Sequence, residues 1–177
     1  MAYAGLDFYG IDPLFTEEER MIRATVRELV VSRILPGIGK HWSDGTFPHE
    51  LVPVFGEMGL LGASLTGYGC PGTSPTAYGL ICQELERGDS GIRSFCSVQS
   101  SLVMYPIWAF GSEEQKQRYL PDMAAGRVIG CFGLTEPDFG SNPSGMLTTA
   151  TRTSGGYRLN GTKRWITNGS VAQVALV

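Results

Sequence analysis

The hydrophobic period of this chain changes near Gly126. Upstream, apolar residues recur every three or four positions; downstream they fall into short β-type runs separated by glycine, serine and asparagine. A segment can follow only one of these periods, so the change requires helices first and a sheet afterwards. In "FTEEERMIRATVRELVVSRILPG", Thr16 and Glu19 form a capping-box pattern, and Ile22, Val26, Leu29 and Val30 share one face. Pro36 and Gly37 are expected to stop that helix. "PHELVPVFGEMGLLG" gives a shorter helix with Leu51, Phe55 and Met58 inward, ended by Gly59. Ser74 before Pro75 is an N-cap with proline in the first turn, and Tyr78, Ile81, Cys82 and Leu85 form the next stripe. A further helix is expected over 95–104. Ser112 and Gln115 open the last one, which Pro121 is expected to break.

After Gly126, "RVIGCFGLT" reads as a strand. "MLTTATRTSGGYRLNGTKRWIT" reads as short β segments cut at Ser154-Gly155-Gly156 and at Asn160-Gly161, the second pair carrying the stronger hairpin signal. "VAQVALV" is a further strand. The expected fold class is α+β: an all-helical N-terminal domain over 1–127, then the start of an antiparallel β domain over 128–177. Such a sheet has at most about four or five strands and an unprotected edge, so it reads as incomplete.

Several function classes drop out. The 177 residues carry a net charge of −3 and no lysine/arginine block, which argues against nucleic acid. With 42% hydrophobic and 18% charged residues the chain can bury a core, and no apolar run approaches membrane-spanning length. Cys70, Cys82, Cys96 and Cys131 have no zinc-type spacing and read as small hydrophobes in a reducing compartment. His41 and His49 sit in a polar connection, so no metal site is expected. The start of the chain has neither a signal-peptide nor a transit-peptide pattern. "GYGCPG" at 67–72 satisfies G-x-G-x-x-G, yet no strand–helix alternation surrounds it and Pro71 lacks the N–H a phosphate loop needs. It reads as a tight connection between helices.

The chemistry concentrates at 133–145, "GLTEPDFGSNPSG". Two readings compete: a long turn, or a cradle whose backbone N–H groups around Gly140 and Ser141 hold a diphosphate. Thr135 adds a hydroxyl at the strand end. Some thirty residues on, Trp165 and Thr167 offer a planar ring beside another hydroxyl. The pair suits a planar polar cofactor, although a Trp in a β segment also suits a core.

"GCFGLTEPDFGSNPSG" and "YRLNGTKRWITN" closely resemble the two flavin motifs of the acyl-CoA dehydrogenases, and "FGSEEQKQRYLPDMAAG" belongs to the same pattern. Within that family, "ELERGDSGIRSFCSVQSSLVMYPIWAFG" looks most like glutaryl-CoA dehydrogenase. The resemblance runs from about Thr16 to Val177. It implies FAD as cofactor, with Phe132, Gly133, Leu134, Thr135, Gly140 and Ser141 along the flavin and its diphosphate. Thr135 would meet the pyrimidine edge of the ring, and Trp165, Ile166 and Thr167 would form the second flavin segment, with Thr167 toward N5. Ser141 would also touch the acyl-CoA. Arg93 and Ser94 match the pair that meets the distal carboxylate of glutaryl-CoA, where an arginine fork suits a carboxylate. Glu86 would balance or position Arg93; the competing reading is a solvated carboxylate beside Arg87.

For the whole enzyme the resemblance implies α-proton abstraction, β-hydride transfer to FAD and decarboxylation to crotonyl-CoA. Its partners would be glutaryl-CoA and an electron-transferring flavoprotein, its assembly a homotetramer, and its location the bacterial cytoplasm or the mitochondrial matrix. The catalytic glutamate belongs to a C-terminal helical domain outside this sequence. No catalytic residue is therefore assigned here, Glu136 is not taken as a substitute, and this stretch alone is expected not to turn over. Asn142 and Asp138-Phe139 depart from the family's usual loop. The rival readings are a dehydrogenase or oxidase for another acyl chain, and a noncatalytic binding or assembly module.

Overall fold

The computed structural model describes residues 7–177. Helix α1 (Glu17–Leu29) starts at its expected capping box, with the Thr16 hydroxyl accepting the Glu19 N–H and the Glu19 carboxylate accepting the Thr16 N–H. A cap of this kind stabilises a helix by about 1 kcal/mol. Pro36 and Gly37 do not stop the run. A π-helical turn, Val30–Ile34, follows α1, and α2 (Leu35–Asp44) continues to Gly45. In a regular α-helix the Pro36 ring would collide with the carbonyl four residues back. In the π turn hydrogen bonds reach five residues back, as from the Leu35 N–H to the Val30 carbonyl, and the collision is avoided.

The same device recurs at Pro106. Helix α5 (Ser90–Ser97), a π segment (Val98–Met104) and α6 (Tyr105–Phe110) form one helical run. The helix expected over 95–104 is thus the middle of a longer one, capped by the Asp89 side chain on the Ile92 N–H. Pro121 does not break α7 (Glu113–Ala124). It lies in the last turn, and Gln117, whose carbonyl loses a partner, is exposed to water.

Helix α3 (Val52–Glu57) is the predicted short helix. "GYGCPG" forms a minimal hairpin, β1 (Thr66–Gly67) with β2 (Cys70–Pro71), as the reading of a tight connection anticipated. Helix α4 (Pro75–Gly88) begins at Ser74, whose hydroxyl accepts the Ala77 N–H at 3.0 Å. These helices enclose one core that includes Phe55, Leu61, Leu85, Ile92, Phe95, Met104, Leu120 and Met123. Each such side chain contributes about 1.5–3 kcal/mol on burial. Buried Glu84 ties α4 to α1 through Arg27, at 2.6 and 3.0 Å.

Gly126, in the left-handed conformation at φ +71°, lets the Arg127 N–H turn back to the Asp122 carbonyl at 2.8 Å. Strand β3 (Gly130–Phe132) follows and pairs in parallel with β6 (Val174–Leu176). β4 (Thr149–Thr153) and β5 (Gly156–Asn160) form an antiparallel hairpin. The architecture is the expected α+β one, a helical layer followed by the beginning of a small-sheet region. The hairpin turns at Ser154-Gly155, however, and not at Asn160-Gly161. Residues 161–173 add no strand, because the Arg164 N–H is taken by the Thr135 carbonyl at 2.9 Å instead of by a returning strand.

Two features seat β3 on the helices. A Cβ on Gly130 would lie 2.4 Å from Val103 Cγ1, so the strand lies against the π segment at a distance only glycine permits. Beside it, Gln99 is fully buried. Its amide donates to the Val128 and Met123 carbonyls at 2.7 and 3.2 Å, and its oxygen accepts the Gly130 N–H at 2.8 Å. Among the described residues no helix is long and apolar enough to cross a membrane.

Candidate functional site

Strand β3 delivers Phe132 and Gly133 to the start of the loop at 133–145, where the Gly133 N–H is held by the Leu176 carbonyl at 2.7 Å. Beyond that point the backbone is left open. The N–H groups of Leu134, Thr135, Gly140 and Ser141 bond no acceptor among the described residues. Gly140 and Ser141 are exposed, and the space in front of Gly140 is empty out to 4 Å. The loop keeps its shape through Glu136. This buried carboxylate accepts the N–H groups of Leu147 and Thr148 at 2.6 and 2.9 Å and the Lys163 ammonium at 2.9 Å. The Thr148 side chain beside it, the Leu147 amide and the Lys163 ammonium hold its carboxyl down at about 2. A group so firmly ionised and so fully bonded is a poor proton acceptor.

Residues 163–167 are brought beside this loop. Lys163 donates to the Leu134 carbonyl at 3.1 Å, and Arg164 to the Thr135 carbonyl at 2.9 Å. The next residue, Trp165, has φ +58°, a left-handed backbone conformation that a bulky side chain adopts only at a cost of about 1–2 kcal/mol. Its indole is 78% exposed, with the Arg164 guanidinium 4.4 Å from the ring centroid. Neither the Thr135 nor the Thr167 hydroxyl bonds another described residue. The two segments that the sequence singled out, thirty residues apart, therefore meet. They present free N–H groups, two hydroxyls and an exposed planar ring with the Arg164 guanidinium over one face. The donor set suits a planar heterocycle with a diphosphate, and Trp165 is a surface ring and not core.

Arg93 and Ser94 lie on α5. Arg93 Nε bonds Glu86 and Nη1 bonds Ser97 Oγ, whereas Nη2 has no partner among the described residues. The two charges reinforce each other: the Arg93 guanidinium holds the Glu86 carboxyl below its usual range, and Glu86 raises Arg93. Glu86 is thus a partner of Arg93. Arg87 has Glu84 beside it, at 3.3 Å. A cleft of about 230 Å3 is lined by Phe47, Gly91 and Phe95 on the helical side and by Thr167, Asn168 and Ser170 on the other. The segment containing Thr167 therefore lies across this cleft from the Gly91–Phe95 face of α5, whereas Arg93 is turned toward Glu86 on α4 and toward Ser97.

Residues 16–127 match the acyl-CoA dehydrogenase N-terminal domain, and residues 131–177 match the acyl-CoA dehydrogenase middle domain. The chain belongs to the acyl-CoA dehydrogenase family. It is 37% identical over 160 residues to an acyl-CoA dehydrogenase of Bacillus subtilis, covering 90% of this chain and 42% of that protein. A crystal structure of a glutaryl-CoA dehydrogenase from Mycobacterium smegmatis in complex with FADH2 superposes with a TM-score of 0.95 at 55% identity, covering 99% of this chain and 45% of that one. The butyryl-CoA dehydrogenase of Megasphaera elsdenii superposes with a TM-score of 0.82 at 32% identity, covering 94% and 44%. The chain thus spans less than half the length of these relatives.

Reading the sequence for this family missed Lys163 and Gln99. Lys163 sits in "GTKRW" with no local sign that its ammonium would be buried, and Gln99 looks like any polar helix residue. The one available signal was negative. A lone glutamine among Phe95, Val98, Leu102 and Val103 has to be exposed or fully bonded, and here it is bonded.

Proposed function

We propose that this chain is the helical domain (1–127) and the first part of the β domain (128–177) of an FAD-dependent acyl-CoA dehydrogenase acting on glutaryl-CoA. The overall reaction is oxidative decarboxylation to crotonyl-CoA. The observation that carries the cofactor reading is the meeting of the Leu134–Thr135 and Lys163–Thr167 segments, which leaves unbonded donors and an exposed indole side by side. Bound there, FAD supplies the hydride acceptor for the β-carbon. Phe132, Gly133, Leu134 and Thr135 line its ring, with the Thr135 hydroxyl and amide as fixed donors to the edge that gains negative charge. Trp165 and Ile166 flank the ring and Thr167 donates near it. The Gly140 and Ser141 amides take the diphosphate, and Ser141 also meets the thioester substrate.

Arg93 gives the reading its substrate. Its free Nη2 is available to a carboxylate, while Glu86 and Ser97 fix the rest of the guanidinium. Ser94, one position on, adds a hydroxyl. Glu86 also restrains affinity, since its own charge competes with that of the bound diacid. The assignment is supported by the 55% identity to a glutaryl-CoA dehydrogenase against 32% to a butyryl-CoA dehydrogenase. The same reading carries a homotetramer, electron transfer to an electron-transferring flavoprotein, and a bacterial-cytoplasmic or mitochondrial-matrix location. The α-proton is removed by a glutamate outside these residues.

The test uses the protein from its complete reading frame. Visible absorption is recorded before and after anaerobic glutaryl-CoA or butyryl-CoA, with and without Arg93→Ala. Flavin colour bleached by glutaryl-CoA is expected. Arg93→Ala should reduce kcat/KM for glutaryl-CoA about 100-fold or more, as loss of a charged hydrogen bond does, and leave butyryl-CoA within a few-fold. Equal losses with both substrates would defeat the glutarate assignment, and absence of flavin binding would defeat the cofactor.

A further inference from the structure

Lys163 is 14% exposed and Glu136 4%, and their ion pair joins two segments 27 residues apart in sequence. Its geometry does more than neutralise charge. One Lys163 ammonium bonds both the Glu136 carboxylate and the Leu134 carbonyl, with the Met146 sulfur at 3.8 Å as a third neighbour. The same carboxylate collects two consecutive backbone N–H groups at the far end of the loop. The start of the loop (Leu134), its end (Leu147–Thr148) and the second segment (Lys163) are therefore tied to a single buried point. Close on either side lie the groups of the candidate site: the unbonded Thr135 N–H and hydroxyl next to Leu134, and the exposed Trp165 ring two residues after Lys163. A left-handed tryptophan survives only where neighbouring contacts over-determine the backbone. The contacts on its N-terminal side are the Lys163 bonds and the Arg164–Thr135 bond.

We infer that the Glu136–Lys163 pair is a positioning clasp that sets Thr135 and Trp165 at the spacing the flavin ring requires. Neither residue touches the reacting atoms. Lys163 points its ammonium into the protein, and Glu136, already bonded three times, acts through Lys163 and the loop amides. The inference rests on the flavin assignment above and adds to it the residues that hold the two flavin segments in register.

The experiment again uses the complete protein, with FAD itself as the probe. Lys163→Met removes the ammonium and keeps an apolar chain beside Met146. The expected result is an FAD affinity weaker by about 10- to 100-fold, the loss of one buried charge-assisted hydrogen-bond centre. The visible flavin bands of the saturated variant should also shift, because the donors at the ring edge have moved. Lys163→Arg, which keeps the charge for Glu136, should recover most of the affinity. If wild-type protein does not bind FAD, the flavin assignment itself fails. If wild type binds FAD and Lys163→Met binds it equally with unchanged bands, the clasp alone is wrong. A lowered melting temperature with unchanged FAD affinity and spectrum also overturns it, since the pair would then serve stability only. Should Lys163→Met not accumulate as folded protein, Glu136→Gln carries the same measurement, because its amide oxygen still accepts a loop N–H while the charge on Lys163 loses its partner.

Discussion

Replacing Gln99 by methionine tests how the sheet is attached to the helices. The side chain keeps its length and loses every hydrogen bond. Of the three groups it serves, the Met123 carbonyl still receives the Gly126 and Ala125 N–H groups and stays paired. The Val128 carbonyl, donated to at 2.7 Å, and the Gly130 N–H, at 2.8 Å, lose the only partner they have among the described residues. A buried polar group left unpaired costs about 1–3 kcal/mol. Gly130 is buried, but Val128 is half-buried and its carbonyl regains some water, so the combined cost is about 2–4 kcal/mol. Because about 1.4 kcal/mol corresponds to tenfold, local opening of β3 should become roughly 30- to 700-fold more frequent. Amide hydrogen exchange of the peptide containing 130–132 measures that opening directly, with α1 as the internal reference. Faster exchange in β3 with α1 unchanged is the expected pattern. A change of less than about threefold at β3 would refute the reasoning, since β3 would then be held by its pairing with β6 alone.

Two further outcomes follow from other contacts. Gly130→Ala places a methyl 2.4 Å from Val103 Cγ1, and Val103 is fully buried in the π segment. Overpacking of this kind costs about 1–3 kcal/mol, and urea denaturation should show it as a lowered midpoint with the slope preserved; no change would mean that the strand rests farther out. Glu136 has its pKa depressed from 4.5 to about 2, so the folded state favours the ionised form. Its contribution is complete above pH 4.5 and is lost as pH falls toward about 2. Glu136→Gln should lack that part of the acid sensitivity, measured as midpoint against pH, and parallel curves for wild type and variant would contradict the assigned ionisation.

What was legible before the structure was local. Thr16 with Glu19, Ser112 with Gln115 and Ser74 with Pro75 start their helices as the sequence pattern requires, because a cap is made by residues three positions apart. The buried stripes Val26–Leu29–Val30 and Ile81–Leu85 follow from the helical period. Pro36 does not stop its helix as expected, for the same local reason: a proline clashes only with a regular α-turn, and whether a π turn precedes it depends on packing partners elsewhere. Asn160-Gly161 carries the turn signal, but the residues after it are claimed by Thr135. Within the candidate site, Thr135, Ser141, Trp165 and Thr167 stood out by type and by motif. Lys163 did not, because nothing near it in sequence says that its ammonium reaches Leu134 and Glu136.

The amino-acid sequence by itself determined that helices precede a sheet, where most helices begin, and which two segments carry a cofactor-like set of donors. Each of these depends on periodicity or on neighbours within a turn, so the chain encodes it without reference to the rest of the molecule. Only the tertiary structure decided that the two segments lie side by side, that β3 pairs in parallel with β6, and that Gln99, Glu136 and Lys163 are the buried polar groups joining the parts. Burying a polar side chain is costly unless its bonds are supplied, and here the partners lie 24 to 31 residues away from Gln99 and 11 to 27 from Glu136. Those partners come within reach only once the helical core has formed and β3 is packed against it.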